Sequence, residues 1–289
     1  MNRRTFLSAL AVAPIAASLA ACGDDNNDTT NPTSPQPVPD TVPTPGTTGI
    51  AHPTGPTDAV IKLSYEGGFV PAGTAFVNTP ALIVSGDGLV YTPAVIPAVF
   101  PGPLVPPMLV RTITEPGIQS MLGILDKAGL LAPPPDYTGG EGVADAPNTV
   151  LTINANGGNF VHSAYALGAT TPETPARKNL LDATVAIGDL GGAVGEENLG
   201  ENKDFEPTSY RFQSRAVDPS ELATDPAPTI VEWPALTTLP LADATTCASL
   251  DAASGDPLFA DAKQNTYFKD GDVVYQLAVA GVLPGDAAC

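Results

Sequence analysis

The chain has 289 residues, of which 12 are Lys or Arg and 31 are Asp or Glu, so its formal net charge is −19. Nucleic-acid binding depends on clustered basic side chains, and beyond residue 21 the only adjacent basic pair is Arg177-Lys178, so the composition argues against that partner. With 2 histidines in the whole chain, a metal site built from three histidines is excluded. The apolar fraction of 43% is enough to build a core, while 28 Gly and 32 Pro predict many loops and turns.

The first 21 residues are typical of an export signal. Arg3 and Arg4 form a basic start, and the largely apolar run from residue 5 to residue 21 is shorter than the roughly 20 residues that span a bilayer. The two arginines followed by Phe6 and Leu7 are similar to a twin-arginine signal. The usual lysine does not follow Leu7, so general secretion stays open as the export route.

The run Leu19-Ala20-Ala21-Cys22 resembles a bacterial lipobox, in which the cysteine becomes the lipid-bearing first residue of the mature protein. A lipid on Cys22 would make the membrane a partner and place the chain on the outer face of the cytoplasmic membrane. Residues 22–58 contain eight prolines and many Thr, Asn and Asp residues, which predicts a disordered tether. His52 falls inside this tether and is expected to be solvated.

Two cysteines remain once Cys22 carries lipid. Cys247 and Cys289 form an even pair in an exported and therefore oxidising setting, which predicts a disulfide bond. The bond would close a loop of about 40 residues and fasten the C-terminal residue. Two free thiols are the alternative.

The rest of the chain predicts an α+β fold with mainly antiparallel sheet, because hairpins outnumber strand–helix–strand units. We expect a first lobe at 59–170 and a second lobe at 171–289. Both lobes show strands, then a helix, then a hairpin, which suggests a duplication; a single mixed sheet is the alternative. Alternation of apolar residues predicts strands at 60–66, 81–85, 89–92, 108–113, 149–154, 159–167, 209–217, 229–233, 266–268 and 273–279. Hairpin turns are marked by Asp87-Gly88, Asn156-Gly157 and Asp270-Gly271.

Three short helices are predicted. Thr114 caps the first and Gly129 ends it, with four apolar residues on one face: Ile118, Met121, Leu122 and Leu125. Thr174 and Pro175 open the second, whose apolar stripe extends to Leu190. The third begins at Asp256-Pro257, and the glycine-rich segment 191–204 is predicted to be a loop.

Candidate catalytic groups are few. No Gly-X-Ser-X-Gly string that would mark a nucleophile elbow occurs in the sequence. Ser163 follows His162 directly, but neighbouring strand residues point to opposite faces, so these two cannot form a catalytic pair. We expect His162 to face solvent or a neighbouring strand. The sequence therefore predicts no catalytic residue and no cofactor.

Asp136, Glu141 and Asp145 flank a glycine-rich turn and are weak candidates for calcium, which prefers oxygen ligands. Their spacing matches no calcium loop, so a solvated acidic loop is the favoured interpretation and no metal site is predicted. Trp233, the only tryptophan, is expected to anchor a core; an exposed binding residue is the alternative.

The segment from Pro93 to Pro107 is uncharged and contains six prolines, whereas loops normally carry polar residues. Two interpretations are open. The favoured one is a lid that folds over the sheet and buries its apolar side chains. The other is an apolar contact surface, in which Phe100 and Leu104 would touch a partner.

Several segments together resemble lipoproteins of high-GC Gram-positive bacteria: the run from Leu63 to Phe69, the Gly86-Asp87-Gly88 turn, the helix at 115–128 and the hairpin at 149–167. The Gly67-Gly68-Phe69 tripeptide after the first strand is also similar to emfourin-type protease inhibitors, which are small α+β proteins. This second resemblance covers less than half of the chain. It implies an inhibitor function without assigning an inhibitory residue.

These observations predict a membrane-anchored lipoprotein that binds or inhibits another protein of the cell envelope without enzymatic chemistry. One alternative is an envelope hydrolase that uses carboxylates only, or a calcium-dependent enzyme, because the chain has 31 acidic residues. The other alternative is a structural component of the envelope.

Overall fold

A computed structural model gives the structure of residues 49–289, except 72, 170–171, 235–238 and 288. Outside the described residues lie Cys22, the tether up to residue 48 and the export signal with Arg3, Arg4, Phe6 and Leu7.

The described residues form twelve strands and four α-helices, an α+β fold with mainly antiparallel sheet, as predicted. The strands are β1 (Ala59–Glu66), β2 (Leu82–Ser85), β3 (Leu89–Pro93), β4 (Met108–Thr112), β5 (Asn148–Ala155), β6 (Gly158–Tyr165), β7 (Lys203–Asp204), β8 (Ser209–Ala216), β9 (Thr229–Glu232), β10 (Ala248–Asp251), β11 (Thr266–Asp270) and β12 (Val273–Gly281). The helices are α1 (Glu115–Lys127), α2 (Pro175–Gly188), α3 (Leu190–Val194) and α4 (Ala252–Phe259). No helix among the described residues is long and apolar enough to cross a membrane.

The first sheet has the strand order β6-β5-β1-β2-β3-β4-β7, and every neighbouring pair is antiparallel. Its hairpins close where the sequence predicts them. At the β5–β6 turn both Asn156 and Gly157 have positive φ, 52° and 73°, the conformation that Asn-Gly pairs adopt at low cost.

Helices α1, α2 and α3 pack together on this sheet and bury the first core. Thr114 caps α1 as predicted, because its side chain accepts a hydrogen bond from the Gly117 amide. The predicted apolar face of α1 is fully buried in this core: Ile118, Met121, Leu122 and Leu125.

Helix α3 lies where the sequence predicts a loop. Asp189 caps it through the Gly192 amide, and Leu190 and Val194 pack into the first core. Glycine-rich sequence has a low intrinsic helix propensity, so tertiary packing rather than local preference forms this helix. The fold therefore has one helix more than the three predicted.

The second sheet has the order β10-β8-β12-β11-β9, in which only the β9–β11 pair is parallel among the described strands. An aromatic cluster of Phe212, Trp233, Phe259 and Phe268 fills its core. Trp233 is 7% exposed, which confirms its predicted role as a core anchor.

Helix α4 begins four residues earlier than predicted. The Asp251 side chain accepts a hydrogen bond from the Ser254 amide and caps the helix there, while Pro257 lies inside it. The prediction relied on proline at the first turn, but the capping aspartate determines the start.

The boundary between the parts of the chain that form the two sheets lies later than the predicted residue 170. Helices α2 and α3 pack in the first core, and β7 pairs with β4 at the edge of the first sheet. The segment up to residue 204 thus belongs with the first sheet. The strand orders of the two sheets also differ.

The predicted tether extends too far, because residues 49–58 pack against the body. The side chain of Gln119 bonds both backbone groups of Ile50, at 2.7 Å to the amide and 2.9 Å to the carbonyl. The Asn156 amide donates to the Ala51 carbonyl at 2.7 Å. The His52 side chain is only 4% exposed, and its Nε2 lies 3.1 Å from Glu115 Oε1. The expectation that His52 is solvated is therefore wrong.

The C-terminal segment fastens to both sheets. Cys247 and Cys289 form the predicted disulfide, with their Cα atoms 5.2 Å apart. Asp286 pairs with Lys62 on β1 at 3.1 Å and lies 3.7 Å from Arg211 on β8. Gly285 has a φ of 77°, and a Cβ there would lie 2.9 Å from that of Ala59, so this close crossing requires glycine.

Candidate contact site

Residues 95–100, here called the apolar tip, lie in the long connection between β3 and β4, which runs from residue 94 to residue 107. All six are exposed and none carries a polar side chain: Val95, Ile96, Pro97, Ala98, Val99 and Phe100. Val95 is 98% exposed and Phe100 is 63% exposed. Water-facing aliphatic and aromatic side chains in a continuous run are typical of a contact surface.

The base of the tip is fixed on both sides. The Ala94 amide donates to the Pro107 carbonyl at 3.0 Å, which continues the β3–β4 ladder. The Leu104 amide donates to the Ala262 carbonyl at 2.8 Å, and the Gly102 amide donates to Gln264 Oε1 at 3.2 Å. Both ends of the connection are thus tied to the first sheet, and its middle is tied to the loop that precedes β11.

The two candidate contact residues of this segment, Phe100 and Leu104, differ in exposure. Phe100 is exposed, but Leu104 is only 9% exposed and packs in the second core, so its prediction as a partner contact is wrong. The hydrogen bond to Ala262 holds the backbone of residue 104 beside the second core, into which the leucine side chain packs. The segment is a lid at Leu104 and an exposed surface at the tip.

Beside the tip lies a cleft of about 480 Å³, here called the glutamine groove. Its lining includes four aliphatic side chains: Val77, Ile96, Leu104 and Ala278. The long polar side chains in the lining are Gln213, Gln264, Gln276 and Arg215. Its volume falls within the range of roughly 300–1,000 Å³ that is usual for binding pockets.

Each glutamine of the groove makes one hydrogen bond to the protein. Gln213 Nε2 donates to the Thr245 carbonyl at 2.8 Å, and Gln264 Oε1 accepts from the Gly102 amide. Gln276 Oε1 accepts from Arg215 Nη2 at 2.7 Å. The same guanidinium bonds both oxygens of Glu221, which raises the pKa of Arg215 and lowers the pKa of Glu221.

Sequence reasoning missed the groove. Its glutamines come from β8, from the turn before β11 and from β12, and no local pattern marks them. The one signal that pointed here is the uncharged proline-rich segment, which supplies Ile96 and Leu104 to the lining.

His162 is fully buried, which corrects the expectation that it faces solvent or a neighbouring strand. Its Nδ1 lies 2.7 Å from the Tyr137 hydroxyl and its Nε2 lies 2.9 Å from the Leu130 carbonyl. Burial lowers the pKa of His162, so the neutral ring is favoured, with Nε2–H donating and Nδ1 accepting. Ser163 is exposed on the opposite face of β6, so the two side chains do not meet.

A second cleft of about 700 Å³ holds the Tyr210–Asp256 pair. The Tyr210 hydroxyl donates to Asp256 Oδ1 at 2.6 Å. Burial, assisted by Asp256, raises the pKa of Tyr210 to about 12, so this hydroxyl stays protonated and serves as a fixed hydrogen-bond donor. Arg211, also on this cleft, lies over the Phe76 ring with 5.0 Å between Cζ and the ring centroid.

The weak calcium candidates do not form a cluster. The Asp136 carboxylate accepts hydrogen bonds from the amide and hydroxyl of Thr138, which lower its pKa. Within the part of the chain that the structure describes, no three His, Cys, Asp or Glu side chains, including Glu141 and Asp145, are placed to hold a metal ion.

Comparison of the chain with family models, curated proteins and solved structures finds no match. The resemblances to lipoproteins of high-GC Gram-positive bacteria and to emfourin-type inhibitors therefore stay predictions.

Proposed function

We propose that this protein is an exported lipoprotein, anchored by a lipid on Cys22, whose body binds another protein of the cell envelope through the apolar tip. The observation that carries the proposal is the tip itself: six consecutive exposed apolar residues on a base that is tied to the first sheet and to the loop before β11. Binding, rather than catalysis, is the activity of this body.

The tip is suited to docking because its backbone needs little further ordering when it binds a partner. Pro97 within the tip and Pro101 after it restrict the backbone before binding, and hydrogen bonds hold its base to the first sheet and to the loop before β11. Association therefore costs less conformational entropy than it would for a flexible loop. Burying Val95, Val99 and Phe100 against a partner removes apolar surface from water, which favours the complex.

The partner should offer an apolar pocket and carry a net positive charge. The apolar pocket complements the tip, and the positive charge complements a chain whose formal net charge is −19. Attraction between the opposite charges speeds association, and this effect weakens as the salt concentration rises. The apolar contact holds the complex once it has formed.

The test is crosslinking in intact envelopes followed by identification of the captured protein. Phe100→Asp should abolish capture, because a carboxylate would be buried in the apolar contact without a partner. The same variant should leave the melting temperature almost unchanged, since Phe100 is 63% exposed.

Val185→Asp is the matched control. Val185 is 66% exposed on α2, outside the tip, so this variant adds the same charge at a similarly exposed apolar position and should retain capture. Full capture by Phe100→Asp, or equal loss in both variants, would count against the tip as the contact site.

A further inference from the structure

We infer that the glutamine groove binds an extended, uncharged peptide segment of the partner. The inference rests on the proposed function, because the groove is continuous with the tip: Ile96 belongs to the tip and also lines the groove. A partner that receives the tip thus has a second surface beside it, and the chemistry of the groove indicates what fills that surface.

The groove offers hydrogen-bonding atoms that the fold leaves unused. Each of its three glutamines bonds the protein through only one of its two polar side-chain atoms. Within the described part of the chain, Gln213 Oε1 and the Nε2 atoms of Gln264 and Gln276 make no hydrogen bond to the protein. One acceptor and two donor groups complement the N–H and C=O groups that alternate along an extended backbone.

The lining of the groove selects an uncharged ligand. Among the described residues, no carboxylate lines it, although the chain holds 31 Asp and Glu residues. Arg215 supplies its cationic group, which is already engaged by both oxygens of Glu221. A charged side chain entering the groove would lose water without gaining an opposite charge, which is costly.

The aliphatic side chains that line the groove favour a peptide over other neutral ligands. In an extended peptide alternate side chains point in opposite directions, so one set can cover Val77 and Ile96 while the backbone meets the amides. A neutral oligosaccharide would offer hydroxyls to the same amides but no alkyl side chains to cover these two residues.

Random decapeptides displayed on phage, selected on the purified protein, test the inference. We expect enriched sequences to share an uncharged stretch. The most enriched decapeptide is then synthesised, and its dissociation constant is measured by fluorescence polarisation. Gln264→Glu and Gln276→Glu place a carboxylate in the groove at constant side-chain size and should each weaken binding by about tenfold or more.

Asn202→Asp is the control, because Asn202 is exposed outside the groove and the change adds the same charge. It should leave the dissociation constant unchanged. If no decapeptide is enriched, or if both glutamine variants bind as tightly as the parent, the inference is overturned. Binding of maltohexaose or chitohexaose that both variants abolish also overturns it, because the groove would then be a sugar site.

The crosslinking experiment separates this inference from the proposed function. If Phe100→Asp loses capture while Gln276→Glu retains full capture, the tip stands as the contact and the peptide inference falls. If Phe100→Asp retains capture, the proposed function itself fails, whatever the peptides do.

Discussion

Two buried polar side chains, His162 and Arg177, join segments that are distant in sequence. His162 bonds Tyr137 and Leu130, which lie 25 and 32 positions earlier. Arg177 is 1% exposed and donates to the carbonyls of Tyr137 and Tyr165 while pairing with Glu173. Because an unpaired buried polar group is costly, these contacts fix one arrangement of the loop before β5 against β6 and α2.

The buried histidine predicts that stability falls as the pH drops below about 6.5, the ordinary pKa of histidine. Burial lowers the pKa of His162 in the folded protein, so near pH 6 the unfolded chain binds more protons and is favoured by acid. The stabilisation is complete above pH 6.5 and is lost as the pH falls toward the lowered value. Urea denaturation at pH 8, 7, 6 and 5 measures it.

His162→Gln should be less stable than the parent at pH 8, yet lose less stability between pH 7 and pH 5. His52→Gln is the control, because it keeps His162 and should keep the slope that His162 causes. A slope that is unchanged in His162→Gln would contradict the assignment.

At the scale of elements, the connection between β3 and β4 combines a buried and an exposed apolar residue four positions apart. Leu104→Ala should lower the free energy of unfolding by about 2–5 kcal/mol, because it leaves a cavity in the second core. Phe100→Ala should change it by no more than about 0.5 kcal/mol, since the ring is exposed. Chemical denaturation of both variants measures the difference, and similar losses would show that the tip is packed in solution.

Local signals predicted most of the elements. The Asp87-Gly88 and Asn156-Gly157 turns and the Thr114 cap each depend on neighbours within a few positions, so the sequence alone indicates them. Helix α3 and the glutamine groove depend on contacts between distant segments instead. Val194 joins the first core where α3 packs against α1 and α2, and no local pattern encodes that meeting.

The candidate site also combines a feature that the local sequence predicts with one that depends on distant contacts. The uncharged segment from Pro93 to Pro107 singled out the right part of the chain, but its alternation between burial and exposure was not predictable. Proline suppresses the regular periodicity that would mark which side chains face inward. Leu104 is buried because the second sheet lies beside it, which is a property of the whole fold.

At the scale of the whole molecule, the disulfide closes a loop between two cysteines 42 positions apart. Loop-closure entropy predicts that its removal lowers the free energy of unfolding by about 4 kcal/mol. Urea denaturation with and without a reductant measures the loss. In the Cys247→Ser/Cys289→Ser double variant the reductant should have no further effect; a parent protein unaffected by reduction would contradict the prediction.

The anchor predicts where the protein is found in the cell. Cys22 lies outside the described residues, and the prediction comes from the lipobox resemblance alone. Cys22→Ser should leave the chain unlipidated, so a mature-length body should no longer sediment with membranes. Fractionation followed by a carbonate wash measures this, and membrane retention of a mature-length Cys22→Ser body would refute the lipid anchor.

The docking of residues 49–58 on the body has a mechanical consequence. A pulling force that enters through residue 49 first loads the bonds of Gln119 to Ile50 and of Asn156 to Ala51, which are the nearest to that residue. Strand β1 follows, and it is held by antiparallel ladders along both of its edges. These ten residues thus form a weak, extensible link before a strong one. Each released residue adds up to about 3.3–3.6 Å of reach before the sheet bears the load.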